Sequence, residues 1–149
     1  MPNIKLMESS LPIAPLKIAA HASCIDLGKK VNDYIVSFRQ NTLTENHTSP
    51  LFRAYSTDNY LIDCDCPRFG TGESKGLLGE SIRGKDLFVM VDVCNYSLTY
   101  TVSGHLNHMS PDDHYQDLKR IISAANGKAH RVNVIMPFLY ESRQHKRTK

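Results

Sequence analysis

Short apolar runs and amphipathic stretches alternate along most of this chain. The runs Leu16–His21 (LKIAAH) and Arg131–Phe138 (RVNVIMPF) predict short buried strands. The longer run Leu87–Val93 (LFVMVDV) is continuously apolar, which predicts a central parallel strand covered on both faces. Apolar and acidic residues alternate in Tyr60–Cys66 (YLIDCDC), as in a half-buried strand with its acids outward.

Two helices are predicted between these strands. Ser23 can cap the first helix, whose apolar face would comprise Cys24, Leu27, Val31, Tyr34, Ile35 and Phe38. The second would begin at Ser110-Pro111-Asp112-Asp113, which supplies an N-cap hydroxyl, a proline at the first helical position and acids in the first turn. Asn126-Gly127 would end it, after an apolar stripe of Tyr115, Leu118, Ile121, Ile122 and Ala125. This alternation predicts an α/β fold with an open, mostly parallel sheet flanked by helices.

The length of the chain favours one domain. Its 149 residues, 41% of them hydrophobic, suffice for one proper core but not for two. The polar stretch 40–59 (QNTLTENHTSPLFRAYSTDN) has no clear period, so we interpret it as a surface insertion or a mobile loop.

The four cysteines and the amino-terminal stretch indicate the compartment. Cys24, Cys64, Cys66 and Cys94 are too few for a disulfide scaffold, and CDC lacks the C-x2-C spacing of a structural zinc site, so reduced thiols are predicted. Pro12, Pro15 and Lys17 interrupt any signal-peptide core, and no stretch resembles a membrane span. We therefore expect a soluble, cytoplasmic protein with no membrane partner.

The positive charge is concentrated at the carboxyl end. The net charge is +3, but without Arg143, Lys146, Arg147 and Lys149 only 14 basic residues face 15 acidic ones. A basic-tailed nucleic-acid binder is one alternative, but no basic face supports it, so no nucleic-acid partner is expected. Ligands of open α/β sheets bind at the carboxyl ends of the strands, where a phosphorylated ligand would meet these cations.

No metal site is predicted within the chain. In Asp63–Cys66 the cysteines and the acids point to opposite faces of the predicted strand. His105 and His108 lie in a predicted loop, whereas His114 lies on a predicted helix. Neither group has the spacing of a metal site.

Two further stretches are Arg68–Met90 (RFGTGESKGLLGESIRGKDLFVM) and Val134–Lys149 (VIMPFLYESRQHKRTK). They resemble the signature regions in the amino-terminal half of ribose-phosphate pyrophosphokinase, which makes phosphoribosyl pyrophosphate (PRPP). The resemblance covers the chain from about Leu16 onward. It implies a phosphoribosyltransferase-like, Rossmann-like domain with a protruding hairpin, which would form the ATP side of a longer two-domain enzyme.

The resemblance also implies an activity and an assembly. The anomeric hydroxyl of ribose 5-phosphate attacks the β-phosphorus of Mg-ATP and AMP leaves, so ATP and ribose 5-phosphate are the expected ligands. Such transfers depend on positioning and charge neutralisation. Mg2+ is the expected cofactor, with ligands outside this chain, and a homo-oligomer built from dimers up to a hexamer is expected.

Roles for seven residues follow from the resemblance. Arg143 would contact the ATP phosphates and Gln144 the nucleotide beside it. Phe69 would stack on adenine, and Thr71 and Glu73 would hydrogen-bond the base or its surroundings, all three from a neighbouring subunit. Ser81 and Arg83 would bind phosphate or sulfate at a regulatory site.

The sequence also departs from the family pattern. Thr71 replaces a usual Asn or Asp, His145 replaces a usual Asp, and the region from Cys94 to Pro111 is longer than the corresponding loop. The ribose-phosphate loop, the catalytic lysine and the magnesium-organising residues of the family's second half have no counterpart here. The 149 residues alone are therefore expected to be inactive, and a non-catalytic regulatory homologue is the main alternative.

Overall fold

The computed structural model of the chain describes residues 13–45, 56–143 and 145–146. The strands are β1 (Leu16–Ala20), β2 (Leu61–Ile62), β3 (Cys64–Asp65), β4 (Leu77–Leu78), β5 (Asp86–Met90), β6 (Thr99–Val102), β7 (His105–His108) and β8 (Arg131–Ile135). The helices are α1 (Ile25–Glu45) and α2 (Pro111–Ala125), and a single 3₁₀ turn, Ala22–Cys24, precedes α1.

Four parallel strands form the central sheet in the order β2-β1-β5-β8. Two antiparallel pairs, β3-β4 and β6-β7, lie outside it. The strand β5 is central, with β1 on one side and β8 on the other, as its continuous apolar run predicted. The predicted α/β fold with a mostly parallel sheet is confirmed.

The two faces of the sheet are covered by different helices. Successive side chains of a strand point to opposite faces. Leu87 and Val89 therefore join one buried cluster with Leu118 and Ile121 of α2. Met90 belongs to a second buried cluster on the opposite face, and Val31 of α1 packs against that cluster. Burial on both faces explains why β5 has no polar alternation.

The helix α2 has the predicted ends. The Ser110 hydroxyl accepts a hydrogen bond from the Asp113 amide at 3.2 Å, and the Asp113 carboxylate accepts one from the Ser110 amide at 2.8 Å. Pro111 is the first helical residue, and Asn126 adopts a left-handed conformation with φ of 48° at the other end. The predicted stripe is wrong in one respect: Ile122 is exposed, whereas His114 and Asp117 are buried.

Two predictions about α1 are wrong. Ser23 does not cap it but lies buried inside the 3₁₀ turn, where its hydroxyl accepts from the Asp92 amide at 3.1 Å. Leu27 and Tyr34 are exposed rather than packed on the sheet. The helix also continues to Glu45, so the first six residues of the predicted 40–59 loop are helical; residues 46–55 lie outside the described part.

The strand β8 is not buried as predicted, because it lies at the edge of the sheet. Val132, Val134 and Ile135 are all exposed. Arg131 instead anchors the strand to β5, through a 2.9 Å hydrogen bond from its Nε to the carboxylate of Asp86. This hydrogen bond and the arginine charge hold the pKa of Asp86 below its ordinary value, despite burial.

The predicted strand Tyr60–Cys66 is divided between two sheets, although its alternating burial is as expected. All four cysteines are free thiols, as predicted. Burial raises the pKa of Cys64 and of Cys66 to about 12, whereas Cys94 is exposed. In the described part of the chain, no helix combines the length and the apolar character needed to cross a membrane.

Gly76 allows the β3-β4 hairpin to approach α2 closely. A Cβ atom at this position would lie 2.4 Å from the backbone oxygen of Arg120, so Gly76→Ala must move backbone. We expect it to lower the free energy of unfolding by about 1–3 kcal/mol. Urea denaturation would measure this, with Gly70→Ala as the control, because nothing lies within 4 Å of that position. Equal losses in the two variants would contradict the close packing.

Candidate functional site

The carboxyl ends of β1, β5 and β8 meet at one edge of the sheet, where α/β proteins bind ligands. A cleft of about 310 Å³ lies there, lined by the 3₁₀ turn, the start of α1, Asp92, Asn95 and Pro137. The side-chain amide of Asn95 donates to the Ser23 carbonyl at 3.0 Å. The segments after β1 and β5 are thereby joined into one wall of the cleft.

A glycine-rich turn, residues 69–73, forms the tip of the β3-β4 hairpin. The Phe69 amide donates to the Glu73 carbonyl at 2.7 Å, and the Gly72 amide donates to the Phe69 carbonyl at 2.9 Å. Gly72 has φ of 89°, a conformation that suits glycine. Phe69, Thr71 and Glu73 are all exposed, with 51% of the Phe69 surface accessible. The tip therefore presents an aromatic ring next to polar groups.

Asp117 of α2 holds both ends of this tip. Its carboxylate accepts from Arg68 Nη2 at 3.0 Å and, through a short hydrogen bond, from the Ser74 hydroxyl. Arg120 Nη1 lies 3.3 Å from the same carboxylate and donates to the Ser74 hydroxyl at 2.6 Å. We call Asp117, Arg68, Ser74 and Arg120 the Asp117 network. Because Arg68 and Ser74 flank residues 69–73, the network positions this turn.

The Asp117 network holds a charged carboxylate in the interior of the protein. Burial raises the pKa of Asp117, but hydrogen bonds from His21 and Ser74 and the charge of Arg68 outweigh it, so the pKa lies below its ordinary value. Asp117 is thus an anion at neutral pH. Burial lowers the pKa of the neighbouring His114, which is fully buried and hydrogen-bonded through Nε2 to the Asn95 carbonyl at 2.7 Å.

His21, Cys66 and Asp117 have the chemistry of metal ligands, and their ligand atoms all lie within 4.8 Å of one another. However, Arg68 and Arg120 already balance the charge of Asp117. The Cys66 thiol, whose pKa is raised to about 12, would also have to lose a proton. These contacts favour a structural ionic network over a metal centre. His105 and His108 are exposed on opposite faces of β7, and His114 is buried on α2.

The family model described as the N-terminal domain of ribose phosphate pyrophosphokinase matches residues 16–149. The chain belongs to this family. No curated protein matches the sequence. This match confirms the resemblance of Arg68–Met90 and Val134–Lys149 to the amino-terminal domain of ribose phosphate pyrophosphokinase.

The structure places the remaining predicted site residues of this pyrophosphokinase domain at two ends of the sheet. Arg143 is exposed beyond the carboxyl end of β8, in a depression of about 310 Å³ that Phe138 and Tyr140 also line. The Tyr140 hydroxyl donates to Asp112 at 2.7 Å, which ties this segment to the first turn of α2. Ser81 and Arg83 are exposed just before β5, at the amino end. Gln144 lies outside the described residues.

The sequence analysis of the pyrophosphokinase domain predicted neither the Asp117 network nor the β6-β7 hairpin. A usable signal existed for the first: His114, Asp117, Leu118 and Ile121 follow the i, i+3, i+4, i+7 spacing of a buried helix face, and two of them are polar. Buried charges need partners, so this spacing could have indicated a network. The second replaces a predicted loop, Cys94–Pro111. A signal existed there too, because Leu98, Tyr100 and Val102 alternate with threonines and Ser103-Gly104 follows as a turn.

Proposed function

We propose that this domain forms the ATP side of a ribose-phosphate diphosphokinase, which transfers the pyrophosphoryl group of Mg-ATP to ribose 5-phosphate. The observation that carries the proposal is the match of residues 16–149 to the pyrophosphokinase N-terminal domain. Two placements support it. Arg143 is exposed beyond the carboxyl end of an edge strand, and Phe69 is exposed on a braced turn.

Each of these residues has a defined task in the proposed reaction. The planar guanidinium of Arg143 suits phosphate oxygens and neutralises charge as AMP leaves. The Phe69 ring offers a stacking surface for the base, worth about 1–3 kcal/mol in comparable sites. Thr71 and Glu73 add hydrogen-bonding groups beside it. The pair Ser81 and Arg83 would bind a regulatory phosphate or sulfate at the opposite end of the sheet.

Mg2+ would accompany ATP in this reaction and neutralise its phosphates. The two buried carboxylates among the described residues, Asp86 and Asp117, are both paired with arginines. These two do not fit a magnesium site. We propose that its ligands lie outside this chain, as the resemblance to the family implies. We also propose a homo-oligomer in which Phe69, Thr71 and Glu73 serve the site of a neighbouring subunit. Free thiols accord with a cytoplasmic setting.

An assay for PRPP and AMP tests the proposal. Full-length protein that contains this domain should form both products from Mg-ATP and ribose 5-phosphate, whereas the 149 residues alone should form neither. Thr71 and His145 favour the second candidate, a non-catalytic homologue. That candidate predicts no turnover by the full-length protein but a changed rate when it is added to an active synthetase. Turnover by the 149 residues alone would contradict a site divided between two domains.

A further inference from the structure

Ser23, His21 and Asp117 form a continuous series of polar contacts that begins at the cleft on the carboxyl edge of the sheet. Ser23 lines that cleft. Its hydroxyl lies 2.8 Å from Nδ1 of His21, and Nε2 of His21 lies 3.5 Å from the Asp117 carboxylate. All three residues are buried. A serine, a histidine and a carboxylate joined in this order are the groups that activate a serine for nucleophilic attack.

The tautomer of His21 gives these hydrogen bonds their direction. The backbone amide of Ser23 donates to Nδ1 of His21 at 3.1 Å. A backbone amide can only donate, so Nδ1 carries no proton and Nε2 carries one. Nδ1 is therefore free to take the proton of the Ser23 hydroxyl, while the N–H of Nε2 faces Asp117. This is the orientation that a general base for Ser23 requires.

The fold places Ser23 at a junction between a strand, a turn and a helix. The strand β1 ends at Ala20, the 3₁₀ turn spans Ala22–Cys24, and α1 begins at Ile25. The nucleophilic serine of many α/β enzymes occupies such a turn, at the carboxyl end of a strand. The Asp92 amide donates to the Ser23 hydroxyl at 3.1 Å and so uses one lone pair of its oxygen. The other lone pair remains for attack.

Asp117 has the charge that the third member of such a series needs. It is an anion at neutral pH, because its pKa lies below the ordinary value. A positive charge that forms on His21 during attack would therefore face a carboxylate. Arg68 and Arg120 share this carboxylate, at 3.0 and 3.3 Å. It stabilises the imidazolium less than an unshared carboxylate would, so we expect slow turnover.

The cleft that Ser23 lines suits a small uncharged ligand. Its volume, about 310 Å³, lies at the lower end of the range for small-molecule sites, about 300–1,000 Å³. Ile25 and Pro137 give it apolar surface. Asp26 and Asp92 are the charged residues among its described lining, which includes neither Lys nor Arg. Such a lining repels phosphate and carboxylate groups.

We propose that Ser23 is a nucleophile, with His21 as its base, that takes the acyl group of small uncharged carboxylic esters. The serine oxygen forms a bond to the carbonyl carbon while its proton moves to Nδ1 of His21. The ester C–O bond then breaks, and the alcohol leaves with that proton. Water attacks the resulting acyl-serine and gives a proton to Nδ1, which returns it to the serine oxygen as the carboxylic acid departs. This activity is independent of the proposed formation of PRPP.

The test incubates the full-length protein with p-nitrophenyl acetate, a small uncharged ester. We expect acetylation of Ser23 in peptide maps by mass spectrometry, together with slow release of p-nitrophenolate. Ser23→Ala should remove the mapped acetylation and the release that depends on it. His21→Asn keeps an acceptor near the position of Nδ1 but cannot take a proton, so acetylation of Ser23 should be about 100-fold slower or more. Ser37→Ala, which removes an exposed hydroxyl from α1, is the control and should react like the unchanged protein.

Peptide maps of the unchanged protein decide the inference even where a variant does not fold. Acetylation of lysines, cysteines or exposed serines with Ser23 unmodified would overturn it. Equal rates of Ser23 acetylation in His21→Asn and in the unchanged protein would also overturn it, because His21 would then not be the base. PRPP and AMP are measured in a separate assay, so neither result bears on the proposed function.

Discussion

Replacing Asp117 with alanine should lower the free energy of unfolding by about 3–5 kcal/mol, the largest stability effect we expect in this domain. The substitution leaves the guanidinium groups of Arg68 and Arg120 without their carboxylate, and the Arg68 side chain is only 10% exposed. It also removes a partner of the Ser74 hydroxyl. Urea denaturation followed by circular dichroism would measure the loss.

Two further variants separate charge from shape. Asp117→Asn keeps the size of the side chain but removes its charge, and should lie between Asp117→Ala and the unchanged protein. Asp26→Ala removes an exposed acid from the first turn of α1 and should cost less than about 1 kcal/mol. If Asp117→Ala and Asp26→Ala were equally stable, the Asp117 network would have no stabilising role.

The Asp117 network also predicts how stability depends on pH. Because the pKa of Asp117 is lower in the folded than in the unfolded protein, its contribution is complete above about pH 4 and is lost as the pH falls through the folded pKa. Asp86 contributes with the same sign. The urea midpoint should therefore fall less steeply below pH 4 in Asp117→Asn than in the unchanged protein.

Under the proposed function, Arg143→Ala should lower PRPP formation by the full-length protein about 100- to 1,000-fold, as loss of one charge-stabilising group does in other enzymes. Phe69→Ala should raise the ATP concentration needed for half-maximal rate, because the stacking surface is lost. Steady-state kinetics with varied ATP would measure both. Lys29→Ala, which removes an exposed cation from α1, is the control and should leave the rate unchanged.

Mixing the two variants tests the neighbouring-subunit arrangement. If residues 69–73 serve the site of the partner, random exchange makes half of the dimers mixed, with one intact site each, so about a quarter of the activity should return. The assay uses an ATP concentration so low that neither variant alone is active. A fully exchanged mixture that stays as inactive as both parents would show that the two segments do not meet across an interface.

The sequence correctly predicted the features that depend only on residues close together in the chain. The ends of α2 follow from Ser110, Pro111, Asp113 and Asn126, because caps depend on neighbouring backbone groups. The position of β5 follows from its unbroken apolar run. The exposure of β8 could not be predicted, since the run RVNVI looks the same in a central strand and in an edge strand.

The candidate site was predictable only in part, for a related reason. The family motifs predicted roles for the 69–73 turn and Arg143, which lie in continuous stretches. The groups that brace the turn are distant in the chain: Asp117 lies 49 residues from Arg68 and 43 from Ser74. Hydrogen bonds across such separations are set by packing, so no local pattern specifies them.

The four thiols differ in burial, so one of them can be labelled selectively. Maleimides react with accessible thiolates, so Cys94 should be modified first, while Cys64 and Cys66 stay protonated at neutral pH. Cys94 immediately precedes Asn95, which lines the cleft at the carboxyl edge of the sheet. A single fluorophore attached there would report on occupancy of that edge by an emission change, without introducing a new cysteine into the domain.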